Sequence, residues 1–170
     1  MDGVKAALLL FVAVMFQVSV LTEYSAFRSG SIVLVTLLSI ALLRGSIFGA
    51  VAGFGTGLLL DTATLGTLGV TSLLLTIAGF WIGRYGETTA RDRFHAPFLS
   101  VAVVTVLYAF GQVLLQFMLG EPAPVGLVLH DLPLALLLNL VLTFPVYAVA
   151  RRLFPPRQLG DRIGEVRLLG

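Results

Sequence analysis

The spacing of apolar residues constrains the fold of this chain more than any other feature of its sequence. Six apolar runs, each bounded by charges, glycine or proline, lie at about residues 4–22, 29–43, 46–60, 66–83, 96–119 and 127–150. A helix of about 20 apolar residues crosses a bilayer. Only 12% of the 170 residues are charged and 58% are apolar, whereas about 25% of a soluble domain is charged. The sequence therefore predicts an all-α polytopic membrane protein, with a six-transmembrane-helix bundle over residues 1–150 and a basic tail over 151–170.

The second and third runs are short, and only Arg44 and Gly45 separate them. This break predicts a tight helical hairpin. An alternative joins residues 29–60 into one long helix or a re-entrant pair, which gives four or five spans. In the sixth run, Asp131 is a candidate N-cap, with Pro133 in the first helical turn.

Basic residues predict the orientation, because cytoplasmic loops are enriched in lysine and arginine. With six spans and both termini in the cytoplasm, Arg28 is the only one of the 11 basic residues outside. Those inside are Lys5, Arg44, Arg84, Arg91, Arg93, Arg151, Arg152, Arg157, Arg162 and Arg167. The arginines that flank the spans, Arg44, Arg84, Arg151 and Arg152, are expected at the interface. The segment 84–95 and the tail could meet anionic lipid headgroups or a cytoplasmic protein.

Glycine recurs every fourth residue in the third run, and Asp61 continues the step. Because four residues turn a helix through slightly more than one revolution, such glycines expose backbone along one stripe for close helix approach. The contact is either within this chain, with Gly79 and Gly83 on the fourth helix, or with another protein. The helix-packing or partner residues are Gly45, Gly49, Gly53, Phe54 and Gly57, together with Gln17 in the first helix.

Asp61 lies at the outer end of a short apolar helix, where an ionised carboxylate needs a partner or water. Candidate partners are Arg28, the hydroxyls of Thr62 and Thr64, and the turn amides at Gly66 and Gly69. We expect Asp61, Gly66 and Gly69 to order the outer loop. A catalytic or ion-binding carboxylate is the alternative.

The sequence contains no recognisable catalytic motif, and we expect no enzyme activity, cofactor, metal or nucleic acid. Gly-x-Ser-x-Gly, His-Glu-x-x-His and a phosphate-binding glycine loop with lysine are all missing. Asp61 and Asp131 lie at outer span ends, so an intramembrane aspartyl peptidase remains a remote alternative. The asparagine-containing motifs of lipoprotein signal peptidase are not found around these aspartates.

Polar side chains recur four residues apart in the last two spans: Gln112 with Gln116, and Asn139 with Thr143. Each pair shares one helix face, so interhelical hydrogen bonds explain it. A polar ligand pocket between the helices is the alternative.

Three segments resemble a known family: Gly53-Phe54-Gly55-Thr56-Gly57-Leu58-Leu59-Leu60-Asp61, then Leu65-Gly66 with Gly69-Val70-Thr71-Ser72-Leu73, and Gly83-Arg84. They are similar to the central signature of the rod shape-determining protein MreD family. The chain's size, the six-span layout, Gln17 and Arg44 are similar too, and the resemblance covers about residues 5 to 150. That family commonly has a bulkier residue where Gly55 stands, and a proline or small residue around Thr67.

The resemblance implies a non-enzymatic scaffold subunit of the bacterial elongasome, or Rod complex, in the inner membrane. Such a subunit binds the single-span protein MreC and, with it, links MreB filaments to RodA and its penicillin-binding transpeptidase. The family is also similar in fold to the S-components of energy-coupling factor transporters, so a vitamin-binding S-component is the alternative function. On that alternative, Gln112, Gln116 and Asn139 would line a cavity near the outer face.

Overall fold

The computed structural model describes residues 2–23, 31–65, 67–88, 96–120 and 125–154. These residues form six α-helices and no strands: α1 Asp2–Glu23, α2 Ile32–Arg44, α3 Ser46–Ala63, α4 Val70–Thr88, α5 Ala96–Met118 and α6 Val125–Leu153. The predicted all-α fold is confirmed. Arg28, Gly66 and the tail after residue 154 lie outside the described residues, as do the predictions made for them.

Three helices are long and apolar enough to cross a membrane: α3, α5 and residues 128–153 of α6. Gly3–Ser19 in α1 and the whole of α2 are apolar but shorter. Many large apolar side chains are exposed on the outside of the bundle, such as Val4, Leu107 and Val141. This arrangement is that of a helical membrane bundle, in which lipid rather than water covers the apolar exterior.

The short helix α2 lies in the centre of the bundle. Residues 33–43 are all buried, and α2 contacts the other five helices. A helix that is apolar on every side is stable only when protein or lipid surrounds it. With 13 residues, α2 is about 20 Å long, which is less than the hydrocarbon layer of about 30 Å. The first turn of α2 is buried in the bundle, and other helices must satisfy its N–H groups.

A sharp break at Gly45 separates α2 from α3. Gly45 has φ 101° and ψ 179°, a conformation that residues with a Cβ rarely adopt. Its N–H still donates to the Ala41 carbonyl and ends α2. The alternative of one continuous helix over residues 29–60 is therefore wrong.

The start of α6 differs from the prediction. Helix α6 begins at Val125, and both Pro133 and Pro145 lie inside it. Asp131 is thus in the second turn, and its prediction as the N-cap is wrong. Pro133 removes the backbone hydrogen bond to the Leu129 carbonyl and places its ring against that carbonyl, a disturbance that membrane helices tolerate.

Candidate functional site at the glycine-rich hairpin

Helices α3 and α4 form an antiparallel hairpin with the most extensive helix contact among the described residues. A Cβ added at Gly49 would overlap the Gly79 carbonyl, and one added at Gly79 would overlap the Gly49 carbonyl. One turn along, a Cβ at Gly53 would overlap the Leu75 backbone. The two backbones therefore touch, and only hydrogen atoms fit between them.

The same register continues to both ends of the hairpin. A Cβ at Gly57 would meet the Ser72 backbone, and one at Gly83 would meet the backbone of Gly45 and Ser46. The sequence left two possible occupants for the glycine stripe, and the structure has α4 of the same chain there. Phe54 projects away from this contact and is 54% exposed.

Asp61, at the end of α3, holds the beginning of α4. Its side chain is buried at 2% exposure, and Oδ2 accepts a hydrogen bond from the Gly69 N–H at 2.8 Å. Longer contacts join Oδ1 to the Thr71 N–H at 3.3 Å and Oδ2 to the Ser72 N–H at 3.4 Å. A carboxylate at a helix N-terminus both satisfies free N–H groups and complements the helix dipole. Asp61 therefore caps α4 from the neighbouring helix.

The threonines next to Asp61 take no part in this cap. The Thr62 hydroxyl donates to the Leu58 and Leu59 carbonyls, and the Thr64 hydroxyl donates to the Leu60 carbonyl. Both hydroxyls thus bond to the α3 backbone.

Glu87 makes the corresponding cap at the opposite end of the hairpin. Its Oε1 accepts hydrogen bonds from the Ser46 N–H at 2.8 Å and from the Ser46 hydroxyl at 3.0 Å. Its Oε2 lies 3.6 Å from Nη1 of Arg84. These Ser46 hydrogen bonds, and to a lesser extent Arg84, lower the pKa of Glu87 below its ordinary value of 4.5. Each helix of the hairpin thus caps the N-terminus of the other.

Glu87 is a functional residue that sequence reasoning missed, because it is 41 residues from Ser46 in the chain. A signal was present, however. If Gly45 faces Gly83 in an antiparallel pair, then Glu87 lies one turn beyond Gly83 and beside the first residues of α3.

A second polar network satisfies the buried N-terminus of α2. Gln17 Oε1 accepts from the Val33 N–H at 2.9 Å and from the Ser31 hydroxyl at 3.3 Å. Asn139 Oδ1 accepts from the Ser31 N–H at 2.8 Å, and Asn139 Nδ2 donates to the Thr105 hydroxyl at 3.0 Å. Helices α1 and α6 therefore bond directly to the start of α2, Thr105 of α5 holds the Asn139 side chain, and Gln17 serves the bundle itself.

Other polar residues of α5 and α6 are also engaged. Gln112 Nε2 donates to the Tyr108 hydroxyl at 2.9 Å, and the Thr143 hydroxyl donates to the Asn139 carbonyl at 2.6 Å. Gln116 is half-buried one turn beyond Gln112.

Asp61 and Asp131 have different partners. Asp131 is exposed, and its Oδ1 lies 3.3 Å from Nδ1 of His130, whereas the Asp61 carboxylate faces three backbone amides. Among the residues that the structure describes, no group of three histidine, aspartate or glutamate side chains could hold a metal ion. The chemistry of this site is that of helix capping.

The described basic residues all lie at one end of the bundle. Helices α2, α4 and α6 all end there, and we call it the basic end of the bundle. Its basic residues are Lys5, Arg44, Arg84, Arg151 and Arg152. Arg44 lies over the buried Phe154 ring at 5.1 Å, and Arg151 lies over the Tyr147 ring at 6.0 Å, distances typical of cation–π contacts. The opposite, acidic end has Glu23, Asp61 and Asp131 at helix positions and no lysine or arginine within the described ranges.

Comparison with known proteins identifies the family. The family model for rod shape-determining protein MreD matches residues 4–153, which include α1 from its third residue, the whole of the other five helices and both caps of the hairpin. No curated protein and no solved structure matched the chain, so the likeness to S-components of energy-coupling factor transporters stays a prediction. The match confirms the resemblance carried by the Gly53–Asp61 segment, and the chain therefore belongs to the MreD family of rod shape-determining membrane proteins.

Proposed function

We propose that this protein is a non-enzymatic scaffold subunit of the bacterial elongasome, which binds MreC and supports cell-shape determination and lateral peptidoglycan synthesis. It would lie in the cytoplasmic (inner) membrane with both termini in the cytoplasm. The observation that carries the proposal is the hairpin of α3 and α4. The segments that resemble the family signature lie in this close-packed pair of helices, in which Asp61 caps α4 and Glu87, three residues beyond the signature, caps α3.

The state of the polar side chains favours a scaffold over a transporter or an enzyme. Asn139, which would line a vitamin cavity, is 1% exposed and bonded to Ser31 and Thr105. Gln112 is bonded to Tyr108. Asp61 is engaged by backbone amides rather than by Asp131. Side chains that already have partners are less available to a substrate, because binding would first have to break those hydrogen bonds.

The orientation follows from the basic end. Five basic residues on four helices converge there, and positive charge next to membrane helices is typical of the cytoplasmic side. Asp2 at the start of α1 and Leu153 at the end of α6 lie at this same end. Both termini would therefore face the cytoplasm, where MreB filaments assemble.

The packing of the glycine stripe favours a different surface of α3 for MreC. Because α4 covers Gly49, Gly53 and Gly57, a partner helix cannot reach them without separating the hairpin. The opposite face of α3 carries Phe54 and Val51, which are 54% and 69% exposed. We propose that the single helix of MreC packs on this face, and that RodA, its transpeptidase and MreB are reached through MreC.

Affinity purification from native membranes tests this proposal, with Phe54→Ala against the matched control Phe110→Ala. Phe110 is 55% exposed on α5, so both variants remove the same side chain from a similarly exposed position. We expect Phe54→Ala to reduce the recovery of MreC several-fold, whereas Phe110→Ala leaves it unchanged. Equal recovery of MreC with both variants, at equal membrane levels, would show that MreC binds elsewhere. Failure of the wild-type chain to recover MreC would refute the proposed function.

A further inference from the structure

The outward face of α4 carries a row of apolar side chains that ends in an arginine. Leu73, Ile77, Trp81 and Arg84 are spaced four, four and three residues apart, which keeps them on one side of the helix. The three apolar side chains are between 47% and 65% exposed, and the Arg84 side chain is 64% exposed. The buried residues of α4, which include Leu75, Gly79 and Ile82, face the bundle.

The length of this row matches one leaflet of a bilayer. From Leu73 to Arg84 the helix rises about 16 Å, at about 1.5 Å per residue. Half of the hydrocarbon layer is about 15 Å thick. An acyl chain that lies along Leu73, Ile77 and Trp81 therefore brings its phosphate to the depth of Arg84.

Trp81 has the position of an interfacial anchor. Its ring packs edge-on against Phe80, with centroids 6.2 Å apart and an interplanar angle of 82°. It lies about 4.5 Å below Arg84 along the helix axis, where indole rings favour the boundary between headgroups and acyl chains.

Charge at this position favours an anion. Among the described residues, Arg84 pairs with Glu87, whose Oε2 lies 3.6 Å from Nη1, while Oε1 of Glu87 accepts hydrogen bonds from Ser46. A guanidinium has five N–H donors in a planar fork that suits a phosphate. At the same end of the bundle, the described residues include five basic side chains, Arg84 among them, and two acidic residues, Asp2 and Glu87.

We propose that the outward face of α4 is a binding site for one anionic phospholipid, with the phosphate at Arg84 and an acyl chain along Leu73, Ile77 and Trp81. Its selectivity comes from the Arg84 guanidinium and the excess of basic residues at this end of the bundle, and its depth comes from the length of the apolar row. The site is separate from the face of α3 that we propose for MreC, and it does not rest on the proposed function.

Trp81 is the only tryptophan of the chain, so its fluorescence reports directly on lipid at this site. The full-length protein is reconstituted in phosphatidylcholine bilayers that contain a small fraction of lipid brominated in the upper acyl chain. Bromine quenches tryptophan fluorescence on contact. Brominated phosphatidylglycerol is compared with brominated phosphatidylcholine at the same fraction, for the wild type, Arg84→Gln and Arg152→Gln.

In the wild type and in Arg152→Gln, we expect brominated phosphatidylglycerol to quench Trp81 fluorescence at least twofold more than brominated phosphatidylcholine. In Arg84→Gln, we expect the two lipids to quench it equally. Glu87→Gln should retain the preference, which separates the loss of the arginine from the loss of its ion pair. Equal quenching by the two lipids in the wild type overturns the proposal. An equal loss of the preference for phosphatidylglycerol in Arg84→Gln and Arg152→Gln also overturns it, because that result indicates diffuse attraction to the basic end. Quenching by neither lipid shows that protein covers the α4 face, and this too overturns it.

Discussion

Replacement of Asp61 by alanine should destabilise the protein by removing the cap that holds α4. The carboxylate makes one short hydrogen bond, to the Gly69 N–H at 2.8 Å, and two long ones at 3.3 and 3.4 Å. A hydrogen bond to a charged group contributes about 1.5–3 kcal/mol, and contacts beyond about 3.2 Å contribute much less. We therefore expect the free energy of unfolding to fall by about 2 kcal/mol.

Asparagine at the same position gives a graded comparison. It retains one acceptor oxygen and is a good capping residue, but it loses the charge, so Asp61→Asn should cost about 1 kcal/mol. Asp131→Ala is the matched control, because Asp131 is exposed and contacts only His130 among the described residues. Its loss should change stability by less than about 0.5 kcal/mol.

Unfolding in mixed micelles with increasing sodium dodecyl sulphate measures these differences. Trp81 lies on α4 itself, so its fluorescence reports the separation of the helix that Asp61 caps. The expected order of stability is wild type and Asp131→Ala, then Asp61→Asn, then Asp61→Ala. The reasoning is refuted if Asp61→Ala unfolds together with the wild type, or if Asp131→Ala is destabilised as much as Asp61→Ala.

Three further predictions follow from the hairpin and the two ends of the bundle. Gly49→Leu should prevent monodisperse purification because its side chain would overlap α4, whereas Gly55→Leu, which has open space around its Cβ, should purify normally in size-exclusion chromatography. The lowered pKa of Glu87 means that its cap stabilises the fold fully above its ordinary pKa of 4.5 and is lost as the pH falls through the lower folded value. The stability of Glu87→Gln, measured by unfolding in detergent at different pH values, should therefore lack this acid-dependent loss. The same pH profile in the variant and in the wild type would contradict this expectation. Since the chain has no cysteine, the single-cysteine variants Gly3→Cys and Asp131→Cys report topology. In intact cells, a membrane-impermeant maleimide should label Asp131→Cys and not Gly3→Cys. The opposite labelling would overturn the orientation.

Local patterns in the sequence predicted the helices well. Six apolar runs became six helices, because a helix satisfies the backbone hydrogen bonds of an apolar segment without help from water. The break at Gly45 was also predictable, since the conformation it adopts suits glycine. The start of α6 was not, because Pro133 is equally compatible with a first turn and with the interior of a membrane helix.

The contacts of the candidate site were only partly predictable. The four-residue spacing from Gly45 to Gly57 indicated a close helix contact, but it is equally suited to a partner in the same chain or in another protein. Glu87 and Ser46 are 41 residues apart, and Ser31 and Asn139 are 108 residues apart. No local pattern links such residues, because their proximity depends on how the helices are arranged.

The sequence by itself determined the helical class, the order of the six helices, the separation of basic residues to one end and the existence of a close-packing stripe. These depend on the hydrophobicity and periodicity of neighbouring residues, which a single helix expresses without its partners. Only the tertiary structure decided that α4 covers the stripe, that α2 is central, and that Asp61 and Glu87 cap each other's helices. Those features depend on the register between distant segments, and register is set by the packing of all six helices together.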